Sequence, residues 1–217
     1  MILPPSAFTS KVLCRRHNSA LSKLDAIAVR LFQAFDDEGA DRSGKQVLYL
    51  FSGHDLERWL LKILCGITVS NNVSVDRPTD LSIPDYWLNI LFGKAGFPDG
   101  QGLYICKSKG HRFEGLRGLR LKTIVRSGRL SGMGLDLCGS ELILSMSGFP
   151  SRVFDGREVA YRPLEFYTTG RNFEKSIMFS WDGPADLGTI SVTIPASEIY
   201  GRAKRCPWGK CISHSMS

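Results

Sequence analysis

The feature that most narrows the folds open to this chain is a change of hydrophobic period between Phe92 and Gly102. Before it, apolar residues recur at three- and four-residue steps, the spacing that gathers them on one face of a helix. After it, glycine-rich turns separate short apolar runs, several of which alternate with polar residues as a half-wet strand does. Helices first and strands afterwards predict an α+β fold. It consists of a helical N-terminal region over residues 1–95, followed by an antiparallel, β-rich and sandwich-like region over 96–217.

Individual elements follow from the same periods. Leu24, Ile27, Ala28, Leu31, Phe32 and Phe35 form one helical stripe, with Ser22 and Asp25 spaced as a capping box. The acid- and glycine-containing stretch from Asp36 to Lys45 reads as a loop, and Val47 to Phe51 as a short strand-forming run. Ser52-Gly53-His54-Asp55 opens a second helix with the stripe Leu56, Trp59, Leu60, Ile63 and Leu64, and Gly66 is placed to end it. A short third helix has Ser82 as cap, Pro84 in its first turn and Gly93 as its stop. Strand-like runs then follow at Leu103–Cys106, Leu119–Val125, Leu135–Cys138, Leu142–Met146, Ser176–Trp181 and Ile190–Ile194.

With 217 residues the chain can bury a substantial core. No apolar run approaches the roughly 18 to 20 residues that span a bilayer, so no membrane role is expected. The start shows no basic segment followed by an apolar one, and the six cysteines are scattered. Reduced thiols and a cytoplasmic location are the expectation. The net charge is +7, and its placement is uneven. Lys107, Lys109, Arg112, Arg117, Arg120, Lys122, Arg126 and Arg129 face the single acid Glu114 between them, and the tail adds Arg202, Lys204, Arg205 and Lys210. Clustered positive charge attracts polyanions by counterion release. The same cluster also reads as an ordinary solvated face.

The most specific chemistry lies near the start, in Leu13-Cys14-Arg15-Arg16-His17-Asn18. Cys14 and His17 have the spacing of a zinc knuckle, with a helix just after them. Leu-Cys-x-x-His-Asn before an amphipathic helix resembles the second knuckle and helix of HNH-type, treble-clef proteins. Many of these carry an upstream His-Ile-x-Pro segment with the general base, and a Cys-x-x-Cys knuckle before that. Ile2-Leu3-Pro4 resembles the end of such a segment, with Met1 where the His would stand. The resemblance covers about the first 25 to 35 residues. It implies zinc and nucleic acid, in a truncated or degenerate relative without the catalytic His. A nuclease needs a base and an open metal position, and neither is visible. Cys14 reads equally as a small buried residue, and His17 as a polar cap.

The tail holds Cys206, Cys211 and His214, which can supply further zinc ligands if the termini meet, or form a basic tail with free thiols. His54-Asp55-x-Glu57 looks like a metal or acid–base group, but its place at a helix start accounts for the acids, with Arg58 and Lys62 as surface partners. His111 and Glu114 sit in an Arg-rich loop without any nucleophile order or phosphate-cradling glycine loop. Arg162, in Tyr161-Arg162-Pro163, can anchor a ligand or simply pack at a sheet edge. Trp59, Trp87 and Trp181 lie in core patterns, and Trp208 does not.

Two functions are expected from these observations. One is a nucleic-acid-associated protein resembling a degenerate or truncated HNH-type endonuclease, binding through the Lys107–Arg129 stretch and the basic tail. The other is a β-sandwich interaction module whose positive face meets an acidic protein or another subunit. A third reading is an active nuclease with its His upstream of Met1.

Overall fold

The structure, a computed structural model, describes residues 14–40, 46–70, 80–106, 120–137, 140–170, 173–183 and 189–193. The described residues form helices α1 (Arg15–Ala40), α2 (Gly53–Val69) and α3 (Asp85–Leu91). The strands are β1 (Val47–Ser52), β2 (Gly102–Cys106), β3 (Arg120–Arg126), β4 (Arg129–Leu137), β5 (Ser140–Ser145), β6 (Val153–Phe154), β7 (Arg157–Tyr161), β8 (Glu165–Gly170), β9 (Phe173–Ser180) and β10 (Thr189–Thr193). The fold is α+β, with the helices preceding nearly all of the strands.

Two sheets result. The larger has the order β3-β4-β5-β2-β7-β6 and is antiparallel throughout, while the smaller has the order β1-β9-β8-β10. In the smaller sheet β8 and β9 form an antiparallel pair flanked by two parallel neighbours, β1 on β9 and β10 on β8. The antiparallel expectation thus holds for the larger sheet, and the smaller is mixed. Through β1, the helical region contributes a strand to a sheet built otherwise from the end of the chain.

Helix α2 touches both sheets. It buries a wide arc, Leu56, Trp59, Leu60, Leu61, Leu64 and Cys65, as a helix enclosed on several sides requires. Leu21, Leu24, Ala28, Leu31 and Phe35 of α1 join this core with Leu103, Ile105, Met133, Leu135, Leu142 and Leu144 of the larger sheet and Phe166, Ile177 and Phe179 of the smaller. Each fully buried Leu or Phe contributes about 1.5–3 kcal/mol relative to leaving it exposed. The other face of the larger sheet carries a second cluster, Tyr104, Cys106, Ile124, Ile143, Phe149, Val159 and Tyr161, with Phe154 at its margin.

Several boundaries differ from the sequence reading: α1 runs to Ala40 into the expected Asp36–Lys45 loop, β4 begins at Arg129 instead of Leu135, and α3 is capped at Pro84 with no side-chain hydrogen bond from Ser82. Helix α1 starts at Arg15, seven residues before Ser22, so the proposed capping pair lies inside it. There Ser22 donates to the Ser19 carbonyl at 2.8 Å, and Asp25 reaches across to Lys62 of α2 at 2.6 Å. Lys62 therefore joins two helices instead of pairing along its own. Helix α2 continues through Gly66 to Val69, because nothing crowds that glycine and the next turn buries Thr68. The cap of α2 is as expected: Ser52 accepts from the Asp55 N–H at 3.2 Å. Strands β7 and β8 escaped the sequence reading, since Arg157-Glu158 and Thr168-Thr169-Gly170 dilute their apolar pattern.

Candidate functional site: a buried ion pair, a cleft and a basic sheet face

The two motifs that the sequence reading set aside, His54-Asp55-x-Glu57 and Tyr161-Arg162, meet in the interior. Glu57 projects from the second turn of α2 and is 0% exposed, while Arg162, just after β7, is 3% exposed. Arg162 Nε donates to Glu57 Oε1 at 2.8 Å and Nη2 to Oε2 at 3.1 Å. The backbone N–H of Leu103 completes the carboxylate shell at 2.8 Å. Glu57 is thus no surface acid at a helix start. Helix geometry sends it inward beside Leu56 and Leu60, and only an Arg can neutralise it there in a planar, bidentate way.

The backbone is shaped around this pair. Gly102 has φ +124°, and a Cβ there would lie 2.1 Å from Glu57 Oε1. Arg162 itself has φ +46°, a left-handed conformation that costs a non-glycine residue energy. Its N–H donates to the Leu103 carbonyl at 2.9 Å. The guanidinium lies over the rings of Tyr161 and Trp181, 5.0 and 5.5 Å from their centroids.

His54 extends the network to the surface. Its Nδ1 is 3.3 Å from Glu57 Oε2, and its Nε2 accepts from the Asp182 N–H at 2.8 Å, with the Asp182 carbonyl 3.1 Å away. In the neutral ring Nδ1–H donates to Glu57. On protonation Nε2–H can donate to the Asp182 carbonyl. The Glu57 hydrogen bond raises the His54 pKa above 6.5, against the effect of burial. Trp181 stands edge-on to His54 at 5.4 Å and donates from its indole to the Pro163 carbonyl at 2.9 Å. Arg58, one turn along, ties α2 to the end of α3 by donating from Nε and Nη2 to the Leu91 carbonyl. A cleft of about 310 Å³ opens over this assembly.

The residues assigned to polyanion binding divide into two groups. Lys107, Lys109, Arg112 and Arg117 lie outside the described residues. Arg120, Lys122 and Arg126 project from β3 on the outer face of the larger sheet, and Arg129 stands at the start of β4 with Asp80 3.9 Å away. Lys122 crosses Gly134 to pair with Glu141 at 2.5 Å and with Asp155 at 3.5 Å. Arg126 donates to the Gly148 carbonyl at 2.7 Å and lies 4.5 Å over Phe149. The structure adds two cations that the sequence reading missed, Arg152 over Tyr161 and Arg157 paired with Glu141. Burial pushes the Glu141 carboxyl upward, but the hydrogen bonds from Lys122 and Arg157 outweigh it and hold the pKa below its ordinary value.

Cys14 and His17 do come together, with Sγ and Nδ1 3.3 Å apart at the start of α1, and the imidazole packs on Phe92 at 5.2 Å. Cys14 is exposed, not the small buried residue of the alternative reading. Among the described residues no group of three or more His, Cys, Asp or Glu side chains is placed to hold a metal ion. Cys206, Cys211 and His214 lie outside the described residues. No helix among those residues is long and apolar enough to cross a membrane. Comparison of this chain with protein-family models, with curated proteins and with solved structures returns no match.

Proposed function

We propose that this is a nucleic-acid-associated protein that binds polyanions through the outer face of its larger sheet, in the manner of a degenerate HNH relative. The observation supporting this reading is that Arg120, Lys122, Arg126, Arg152 and Arg157 share one side of the sheet, with Glu141 held beneath them. Two of these arginines are braced over aromatic rings, which lowers the entropy lost when they engage phosphates. The adjoining stretch supplies Lys107, Lys109, Arg112 and Arg117 in sequence. The proximity of Cys14 and His17 provides two of the four ligands of a structural zinc, and the tail residues Cys206, Cys211 and His214 are the proposed source of the rest.

Binding of labelled single- and double-stranded oligonucleotides across a salt series tests the reading. Affinity falls linearly with log salt, and Arg120→Glu with Arg129→Glu lowers the slope by about 2. A slope unchanged by the pair, or no binding at about 50 mM salt, overturns it. Elemental analysis with Cys14→Ser tests the zinc separately.

A second reading, a protein-interaction module that meets another subunit, is favoured by Leu48 and Leu50. They are 64% and 62% exposed on the edge strand β1. Concentration-dependent self-association that is lost in Leu48→Lys with Leu50→Lys, without oligonucleotide binding, distinguishes it.

A further inference from the structure

We propose that the cleft over His54 and Arg162 is a binding site for a small zwitterion of the α-amino acid class, independent of the polyanion face. Arg162 anchors the site. Glu57 takes up Nε and one N–H of Nη2, and Nη1 has no hydrogen-bond partner among the described residues. Arg162 lines the cleft, where an acceptor can reach this remaining edge. The left-handed backbone at Arg162 is the kind of strain that persists where placing a side chain matters.

The rest of the lining selects the ligand. Glu57 already neutralises the Arg162 guanidinium and Asp55 pairs with Arg58 of the same lining at 3.1 Å, so the cleft suits a single monoanionic carboxylate more than a phosphate dianion. Asp99 and Asp182 are exposed at the rim, where they repel a second negative charge and attract an ammonium group. Between floor and rim, Ile90 and Phe97 provide an apolar wall. Carboxylate inward, ammonium at the rim and an aliphatic group against the wall is the pattern of a free apolar amino acid. The cleft volume of about 310 Å³ is at the small end of ligand sites.

The test titrates the full chain with L-leucine, propionate and inorganic phosphate, following the indole resonance of Trp181. Leucine binds saturably with a Kd of about 1 mM or tighter, and propionate, which lacks the ammonium, at least about 10-fold more weakly. Ala95→Trp blocks the exposed mouth without touching the buried pair and abolishes the shift. Asp99→Asn brings leucine and propionate to within about threefold of each other. Three results overturn the proposal: no saturable shift, a leucine response that survives Ala95→Trp, or phosphate binding tighter than leucine.

Discussion

Glu57 and Arg162 are 105 residues apart in the chain, yet their side chains meet at 2.8 Å with almost no exposure to solvent. Their attraction offsets the cost of burying both charges only while both are present. Replacing one partner leaves an uncompensated charge under Trp181 and Leu103. Arg162→Leu is therefore expected to cost about 3–5 kcal/mol in urea unfolding, while Glu57→Leu combined with Arg162→Leu costs much less than the sum of the single changes. Additive losses in the double-mutant cycle would contradict the geometry.

His54 makes stability depend on pH. Its folded pKa lies above the unfolded value of 6.5, so its protonation stabilises the native state, fully so below 6.5. That contribution is lost as pH rises through the folded pKa. Thermal melts are expected to show stability falling across this window in the native chain and a flatter profile in His54→Gln.

Gly102→Ala and Gly128→Ala separate backbone strain from collision. Both glycines have positive φ, but a Cβ at Gly128 meets nothing within 4 Å, whereas at Gly102 it meets Glu57 at 2.1 Å. Gly128→Ala should cost about 1 kcal/mol and Gly102→Ala at least about 3 kcal/mol by chemical denaturation. Equal losses would remove the argument that Gly102 makes room for the carboxylate.

The described thiols should differ sharply in reactivity. Burial pushes Cys65 up to about 12 and Cys106 up to about 11, whereas Cys14 is exposed. In a chain with Cys138, Cys206 and Cys211 replaced by Ser, a thiol reagent at pH 8 is expected to label Cys14 rapidly and the other two only on unfolding. Slow labelling of Cys14 that chelator accelerates would add weight to the zinc reading.

The α+β order and most element positions were legible because they depend on local period. Ser52 capping α2 and the Ile177, Phe179 alternation needed only neighbours in sequence. The candidate site was not legible in the same way. Glu57 lies on a helical turn where both surface and core placement fit the pattern, and its partner comes from just after β7, 105 residues along the chain. The strongest available signal was an acid flanked by Leu56, Trp59 and Leu60, which places it nearer the buried stripe than the polar face. The placement of Lys122 over Phe154 and of Arg126 over Phe149 depends likewise on how distant strands and turns meet, which no single run reveals.

The parallel pairing of β1 with β9 has a consequence for biosynthesis. Phe51 aligns with Phe179, and Gly53 admits the Trp181 ring within 2.4 Å of where a Cβ would stand. The chain between these partners takes on the order of ten seconds to be synthesised. Throughout that interval β1 lacks its β9 neighbour, and for most of it the carboxylate of Glu57 lacks Arg162. Nascent chains arrested before β9 should therefore be the form that recruits chaperones and is most readily cut by protease, and completion of the last strands should end both.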